Sequence, residues 1–432
     1  MISKLLWYMT LICAGIIDLI IISLFLIKEL LVKLYKKGSA YSAFSPKKVL
    51  LVRTDRLGDA VITTPVISAL KDVQPDLKIY VLASTQNEML LKKNPHIEKV
   101  YTIKVDTWLK YRPLRITIGD TLIVLFKEFL GFVKEQLFSR SFWSVLIQLK
   151  AERIDLAIDL IGKKRTTLIG KVIARYSITH NLKSFSYLSD YCLEFPFVTP
   201  YPRMHIIERY FYLLSKGIKS FRKIDPFDFG LKISGLEKFP VEKRNGILFH
   251  VGGTAYRRLD NHKLLNIIKE VSDKLQYNIY VIDEPGNPNL DFFEENLDKH
   301  KVDFIKKKEM ENLISFVNKN IVLAVVPDSG FAHVCNALTN TFAYYGQTAI
   351  WVWYPWDKSK PRQIKTYEGG AQVWETKGTF IHRFIFYPVD CSPCYEIGCE
   401  ELHCLEPLKE SFFTNQIMDL AENKVFAEEK TC

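Results

Sequence analysis

The sequence predicts an α/β protein of two doubly wound domains that face a cleft, preceded by an N-terminal membrane helix. Continuous apolar strands such as Val49–Arg53 and Ile321–Val326 alternate with helical segments in two separate stretches. Fully apolar strands between helices belong to parallel sheets covered on both faces. A polar stretch containing Gly217, Gly230, Gly235, Pro226 and Pro240 separates the two and reads as a linker. The run Leu5–Ile27 is almost wholly apolar, and at about 1.5 Å per residue it reaches across a bilayer core of roughly 30 Å.

That run is too long for a signal-peptide core, and no small-residue cleavage site follows it. Lys28, Lys33, Lys36, Lys37, Lys47 and Lys48 come after it, against Lys4 in front. The positive-inside bias therefore puts the remainder of the chain in the cytoplasm. Asp18 lies mid-run, where a charge costs about 3 kcal/mol, so an interfacial helix stands as the alternative to a single span.

A chain of 432 residues exceeds one ordinary core. The expected division is an anchor with its basic flank at 1–40, a first domain at 45–215, a linker at 216–243, a second domain at 244–405, and a helix and tail at 406–432. In the first domain the strands are Val49–Arg53, Lys78–Ala83 and Ile154–Leu160, with one helix over Asp59–Val73. In the second they are Gly246–Val251, Asn278–Asp283, Ile321–Val326 and Thr341–Tyr345, with helices His262–Leu275, Glu309–Asn318 and Phe331–Leu338. An apolar insertion covers about 104–150. Its Phe- and Leu-rich part, Ile116–Leu149, carries Lys127, Lys134 and Arg140. It reads either as a core helix pair or as an amphipathic surface lying on acidic lipid.

Hydrophobic content of 48% with 25% charged residues excludes a disordered chain. A net charge of +11 points to an anionic partner: nucleic acid, an acidic membrane face or a phosphorylated substrate. Cys391, Cys394, Cys399 and Cys404 form a compact C-x2-C-x4-C-x4-C cluster, while Cys13, Cys192, Cys335 and Cys432 are scattered. This is one local sulfur site, not a disulfide framework. It reads as a structural zinc site or as free thiols. A zinc ribbon on nucleic acid would need a second basic module, and none is evident, so nucleic acid is not an expected partner.

Three strand-to-helix turns carry the chemistry. The first is Arg53-Thr-Asp-Arg-Leu-Gly-Asp59. Gly58 lets the backbone turn sharply and approach a ligand. Asp59 stands at the cleft mouth near a helix start, where an ionised general base is stabilised, although the spacing alone suits a plain helix cap better. Arg53 and Arg56 flank it and either hold an anionic acceptor or are merely solvated. The motif lacks the G-x-G-x-x-G pattern and a Walker lysine, which counts against dinucleotide and NTPase readings.

The second turn is Val326-Pro-Asp-Ser-Gly-Phe-Ala-His333. Ser329 and the amides of Ser329 and Gly330 suit phosphate oxygens, Asp328 can orient them or reach a sugar hydroxyl, and His333 lies one turn further in. The third is His250-Val-Gly-Gly-Thr254 with Arg257 and Arg258 after it. Gly252 and Gly253 allow a bare backbone near a diphosphate, with Thr254 beside them, and a guanidinium can clamp it. At Asp283-Glu284 a carboxylate can take ribose hydroxyls.

These motifs, in this order, resemble the ADP-heptose:lipopolysaccharide heptosyltransferase family (glycosyltransferase family 9), an inverting group with the two-Rossmann GT-B fold. L-V-R-T-D-R-L-G-D-A-V-I-T-T-P (51–65), N-P-H-I-E-K-V (94–100), I-D-L-A-I-D-L (154–160), H-V-G-G-T (250–254), P-D-S-G-F-A-H (327–333) and Y-G-Q-T (345–348) carry the resemblance. It implies transfer of heptose from ADP-heptose to a lipopolysaccharide core at the cytoplasmic face of a bacterial inner membrane. It also implies Asp59 as the base, Asp328, Ser329 and Gly330 as donor contacts and Arg257 as the basic donor contact; no cofactor is expected for catalysis, because the helix dipole and arginine can neutralise the leaving group. Val251 replaces the family's usual proline, and Arg257-Arg258-Leu259-Asp260 stands where the family has a basic residue followed by Arg-Trp-Pro. The open rivals are a same-fold transferase of another nucleotide sugar, for an O-chain or capsule, and a non-catalytic sugar-nucleotide-binding membrane protein.

Overall fold

The computed structural model describes residues 45–104, 140–181, 189–194, 204–237, 239–253, 257–283, 289–306, 309–367, 369–394, 399 and 402–422. The expected anchor Leu5–Ile27, most of the insertion, Thr254, Glu284 and the last ten or so residues of the tail lie outside the described residues. Among the described residues, no helix is long and apolar enough to cross a membrane.

The first sheet contains β1 (Lys48–Arg53), β2 (Lys78–Ser84), β3 (Ile97–Ile103), β4 (Leu156–Asp159), β5 (Tyr176–Asn181) and β6 (Tyr191–Glu194). Its order is β3-β2-β1-β4-β5-β6, parallel throughout. The second contains β7 (Gly246–His250), β8 (Asn278–Ile282), β9 (Val302–Ile305), β10 (Ile321–Pro327), β11 (Asn340–Tyr345), β12 (Arg362–Thr366), β13 (Gln372–Lys377) and β14 (Ile381–Phe386). Its order is β12-β13-β14-β11-β10-β7-β8-β9. From β9 to β14 the parallel part repeats the winding of the first sheet, outward from a centre and then back, as in a Rossmann domain. Central strands such as β1 and β10 are buried along almost their whole length, as apolar runs covered on both faces must be.

Three features depart from the expected elements. The segment expected as one helix over Asp59–Val73 is two helices, Leu57–Val61 and Thr64–Val73. Pro65 stands in the first turn of the second, where its missing N–H is harmless; inside a continuous helix its ring would clash with the preceding turn. The second sheet is not all parallel: β13 and β12 extend it antiparallel beyond β14. A buried pair fastens this extension, with Arg383 Nε 3.0 Å from Glu375 Oε2 and both side chains 1% exposed. Arg362 Nη2 caps the other Glu375 oxygen at 2.9 Å.

The stretch expected as a linker is a strap attached to both domains. It leaves the last turn of helix Ile206–Gly217, then forms short 3-10 turns at Lys219–Lys223, Pro226–Asp228 and Val241–Lys243. Phe221 is buried, Phe227 stacks on Trp356 with centroids 4.6 Å apart, and Lys232 N–H donates to Thr64 Oγ1 at 3.0 Å. Just ahead of that helix, His205 stacks on Trp356 at 4.8 Å. Its Nδ1 accepts from Ile207 N–H, so the proton sits on Nε2, which donates to Tyr354 O at 3.0 Å. These contacts fix how the two sheets face each other.

Where the insertion rejoins the described chain, helix Arg140–Ala151 buries Leu149 and packs Phe142, Val145 and Leu146 against the first domain. Trp143 and Ile147 face outward, 46% and 68% exposed. Helix Glu410–Ala421 returns to the second domain, where Phe413 meets Phe342 edge-on at 5.1 Å.

Candidate active site

Each winding reverses direction between two neighbouring strands: β1 and β4 in the first sheet, β7 and β10 in the second. Ligands of doubly wound sheets sit at the carboxyl ends of such strands. All three predicted motifs begin there. A depression of about 420 Å³ lined by Asp273, Gln276, His300, Lys301 and Asp303 lies at the opposite ends of β8 and β9, away from the switch points.

In the first turn, Arg53 is not the surface contact that sequence suggested. It is 1% exposed, with Nε donating to Thr63 Oγ1 at 2.7 Å and Nη1 to Asp55 Oδ2 at 2.7 Å. Its guanidinium also lies 5.0 Å from the centre of the Tyr210 ring. Burial alone would lower the guanidinium pKa, but Asp55, Tyr210 and Asp59 together outweigh it and hold Arg53 firmly cationic. Burial pushes the Asp55 carboxyl up to about 7 against the pull of Arg53, and Asp59 adds to the rise. Arg53 therefore forms the floor of the turn, while Arg56 stays exposed at its lip.

Asn87 holds the same turn from the side. Its Nδ2 donates to Arg53 O at 2.9 Å and Asp55 O at 3.1 Å, and Ser84 Oγ donates to Asp55 O at 3.0 Å. Asp59 is half-buried, and its Oδ2 accepts from Arg56 N–H at 3.3 Å. The capping role that the spacing favoured is thus present, and it engages one carboxylate oxygen.

Across the cleft, Ser329 caps helix Gly330–Asn336, its Oγ accepting from Ala332 N–H at 3.3 Å. The two loops touch by backbone. A Cβ on Gly58 would fall 2.7 Å from both Cα and O of Gly330, whereas one on Gly330 would meet Gly58 N at an ordinary 3.5 Å. Glycine at 58 is therefore required by close approach. It sets Asp59, the next residue, at the seam between the domains. The same contact covers part of the helix start that was expected to bind phosphate.

On the second sheet, Asp328 is 8% exposed, with Oδ2 3.3 Å from Arg257 Nη1 and accepting from Thr348 Oγ1 at 2.6 Å. Gly253 has φ +97, a region glycine adopts without strain. A Cβ on Gly252 would fall 2.0 Å from Asp283 Oδ1, so this bare backbone lies against a carboxylate. His333 is buried, its ring 6.4 Å from that of Trp353. The substitutions that set this sequence apart from the family pattern have local reasons. Val251 N–H donates to Ile282 O at 2.9 Å, which proline cannot do. Leu259 is buried, and Asp260 caps helix Asn261–Lys274 through His262 N–H and Lys263 N–H.

No family model matches this sequence, and no curated protein matches it. Solved structures do match it in fold. A family 9 glycosyl transferase from Veillonella parvula aligns with TM-score 0.60 at 17% identity, over 90% of this chain and 98% of that one. E. coli ADP-heptose lipopolysaccharide heptosyltransferase II aligns at 0.57 and 14%, over 87% and 99%. E. coli heptosyltransferase WaaC with ADP aligns at 0.54 and 15%, over 72% and 91%. The chain has the fold of these glycosyltransferases.

Within that fold, three supports of the site were not singled out from sequence: Asn87, Asp55 and Thr348. Asp55 and Thr348 stand within quoted motifs, but what they hold is set by burial or tertiary contact, and Asn87 has no motif signal. Cys404 is buried, Cys391 and Cys394 are exposed, and all are free thiols. Burial pushes the Cys404 thiol up to about 11, with Cys394, Cys399 and Cys391 near enough to add to it. Yet among the described residues no three His, Cys, Asp or Glu are placed to hold a metal ion. The sulfurs share a neighbourhood, and residues 395–398 and 400–401 between them lie outside the described residues.

His250 supplies a pH test of the site's packing. It is 3% exposed, and burial lowers it to about 4, against about 6.5 in an unfolded chain. A lowered histidine binds its proton more weakly when folded, so its contribution is complete above about pH 6.5 and is lost as pH falls toward 4. Relative to His250→Gln, the wild type is expected to lose about 3 kcal/mol of unfolding free energy between pH 7 and pH 4. Urea titrations at stepped pH measure this; a pH-independent difference would mean that the imidazole charges freely in the folded state.

Proposed function

We propose that this chain is an inverting glycosyltransferase that moves a heptose from ADP-heptose to a lipopolysaccharide core or related anionic glycolipid. The observation that carries the reading is the seam at Gly58 and Gly330, which brings the Asp59 turn of one domain against the Asp328–Gly330 turn of the other. An acceptor hydroxyl attacks the anomeric carbon from the face opposite the diphosphate. Asp59 takes the hydroxyl proton as the bond to the diphosphate breaks. Arg257 neutralises the departing charge, and the backbone at Gly252–Gly253 gives the diphosphate room. Glu284 or Asp283 takes ribose hydroxyls, Thr254, Ser329 and His333 line the donor, and Arg56 meets the acceptor's anionic groups. Neutralisation by arginine asks for no cofactor.

The site belongs, on this proposal, to the cytoplasmic side of a bacterial inner membrane. The lysines after Leu5–Ile27 support that orientation, and the outward Trp143 and Ile147 support contact with the bilayer. A second reading keeps the chemistry and changes the donor to another nucleotide sugar for an O-chain or capsule; Leu259-Asp260 in place of Trp-Pro favours it. Melting temperatures with ADP-heptose and with UDP and GDP sugars decide between them, because a ligand stabilises the state it binds. ADP-heptose is expected to give the largest rise. A larger rise with a UDP or GDP sugar moves the assignment to the second reading.

A further inference from the structure

The loop Gly346-Gln-Thr348 follows β11, and the reaction proposed above gives it no part. Thr348 is 4% exposed, and its hydroxyl donates to Asp328 Oδ2 at 2.6 Å. The same oxygen is the one facing Arg257 Nη1 at 3.3 Å. A single carboxylate oxygen thus links a buried hydroxyl to the guanidinium at the cleft. That ion pair is monodentate, so it cannot orient the guanidinium as two parallel bonds would. Its geometry depends on what holds the carboxylate still, and Thr348 is a close partner of that carboxylate.

The loop is itself braced from outside. Cys394 N–H donates to Gln347 O at 3.1 Å, and Ser392 Oγ donates to Gly346 O at 3.1 Å. A Cβ on Gly346 would fall 3.1 Å from Cys404 Sγ and 3.2 Å from Leu405 Cγ. The cysteine-bearing segment therefore lies directly behind the loop that carries Thr348.

We propose that Thr348 is a positioning residue of the donor site: by holding Asp328 it fixes Arg257 where the donor diphosphate is neutralised, and Ser392, Cys394, Cys404 and Leu405 back the loop. The proposal rests on the second domain being a nucleotide-sugar site. Loss of the hydroxyl frees the carboxylate to turn, and a guanidinium no longer held in place must be ordered again when the diphosphate arrives.

Calorimetric titration of ADP into the full chain tests this as a double-mutant cycle. Thr348→Val, which keeps the shape and removes the hydroxyl, is expected to raise the ADP dissociation constant about tenfold. Thr348→Ser, which keeps the hydroxyl, is expected to restore wild-type binding. In an Arg257→Ala background, Thr348→Val is expected to add no further loss, a result that general loosening of the fold would not give. Thr348→Ala stands in if the valine variant does not fold. Wild-type binding by Thr348→Val overturns the proposal, and so does an undiminished loss in the Arg257→Ala background. If the wild type binds none of ADP, UDP and GDP, the donor-site reading and this proposal fall together; if it binds and Thr348→Val matches it, this proposal alone falls.

Discussion

Asp59→Asn is expected to lower glycosyl transfer about a thousandfold, within the range of roughly 10² to 10⁴ that a positioned general base contributes. The substitution is chosen against the competing role of the same side chain. Asp59 Oδ2 accepts from Arg56 N–H, and an asparagine oxygen can accept that bond as well. The turn is thus preserved while the proton acceptor is lost. Nucleotide binding and the melting temperature are expected to stay close to wild type. Turnover at the wild-type rate would leave Asp59 as a cap alone and rule it out as the base.

Gly58→Ala is expected to lower turnover by a further route, and by at least about a hundredfold, the cost of misplacing reacting groups by roughly 1 Å. The new methyl would stand 2.7 Å from Gly330 Cα and O. Both are backbone, so no side chain can swing aside and one turn must retreat from the other. The sheets keep their own cores, so both domains are expected to remain folded, and nucleotide binding to the second to change less than turnover. Gly330→Ala is the control. Its methyl would meet Gly58 N at 3.5 Å and Cα at 3.8 Å, ordinary contacts, so turnover should fall far less. Equal losses from the two alanines would show that the seam does not set catalytic geometry.

Much of this was legible in the residues. A buried parallel strand needs unbroken apolar side chains, and β1, β2, β7, β8, β10 and β11 all announce themselves in that way. The strand-to-helix turns were legible because glycine and small polar residues cluster where the chain must reverse close to a ligand. Strands β3, β5, β6, β9, β12, β13 and β14 were not assigned from sequence; of these, β3 and β12 are half-exposed edge strands with mixed side chains. Their pattern does not separate from that of loops. Helix Ile206–Gly217 was absorbed into the end of the first domain, and the strap after it looked like a linker because its Gly and Pro residues resemble a hinge. Its Phe221 and Phe227 acquire meaning only when Trp356 and the first domain lie against them.

Sequence by itself determined the fold class, the two windings and the placement of Asp59, Asp328 and Arg257 at strand ends, because hydrophobic periodicity and turn chemistry are local properties. Tertiary structure decided which of those residues face the cleft. It buried Arg53 beneath its own turn with Asp55 as counterion, and bound Asp328 to Thr348 and Arg257. It also pressed Gly58 against Gly330. Such outcomes depend on burial and, for Gly58 and Gly330, on a partner in the other domain. Desolvation and close packing arise only after folding brings the groups together, so no local pattern encodes them.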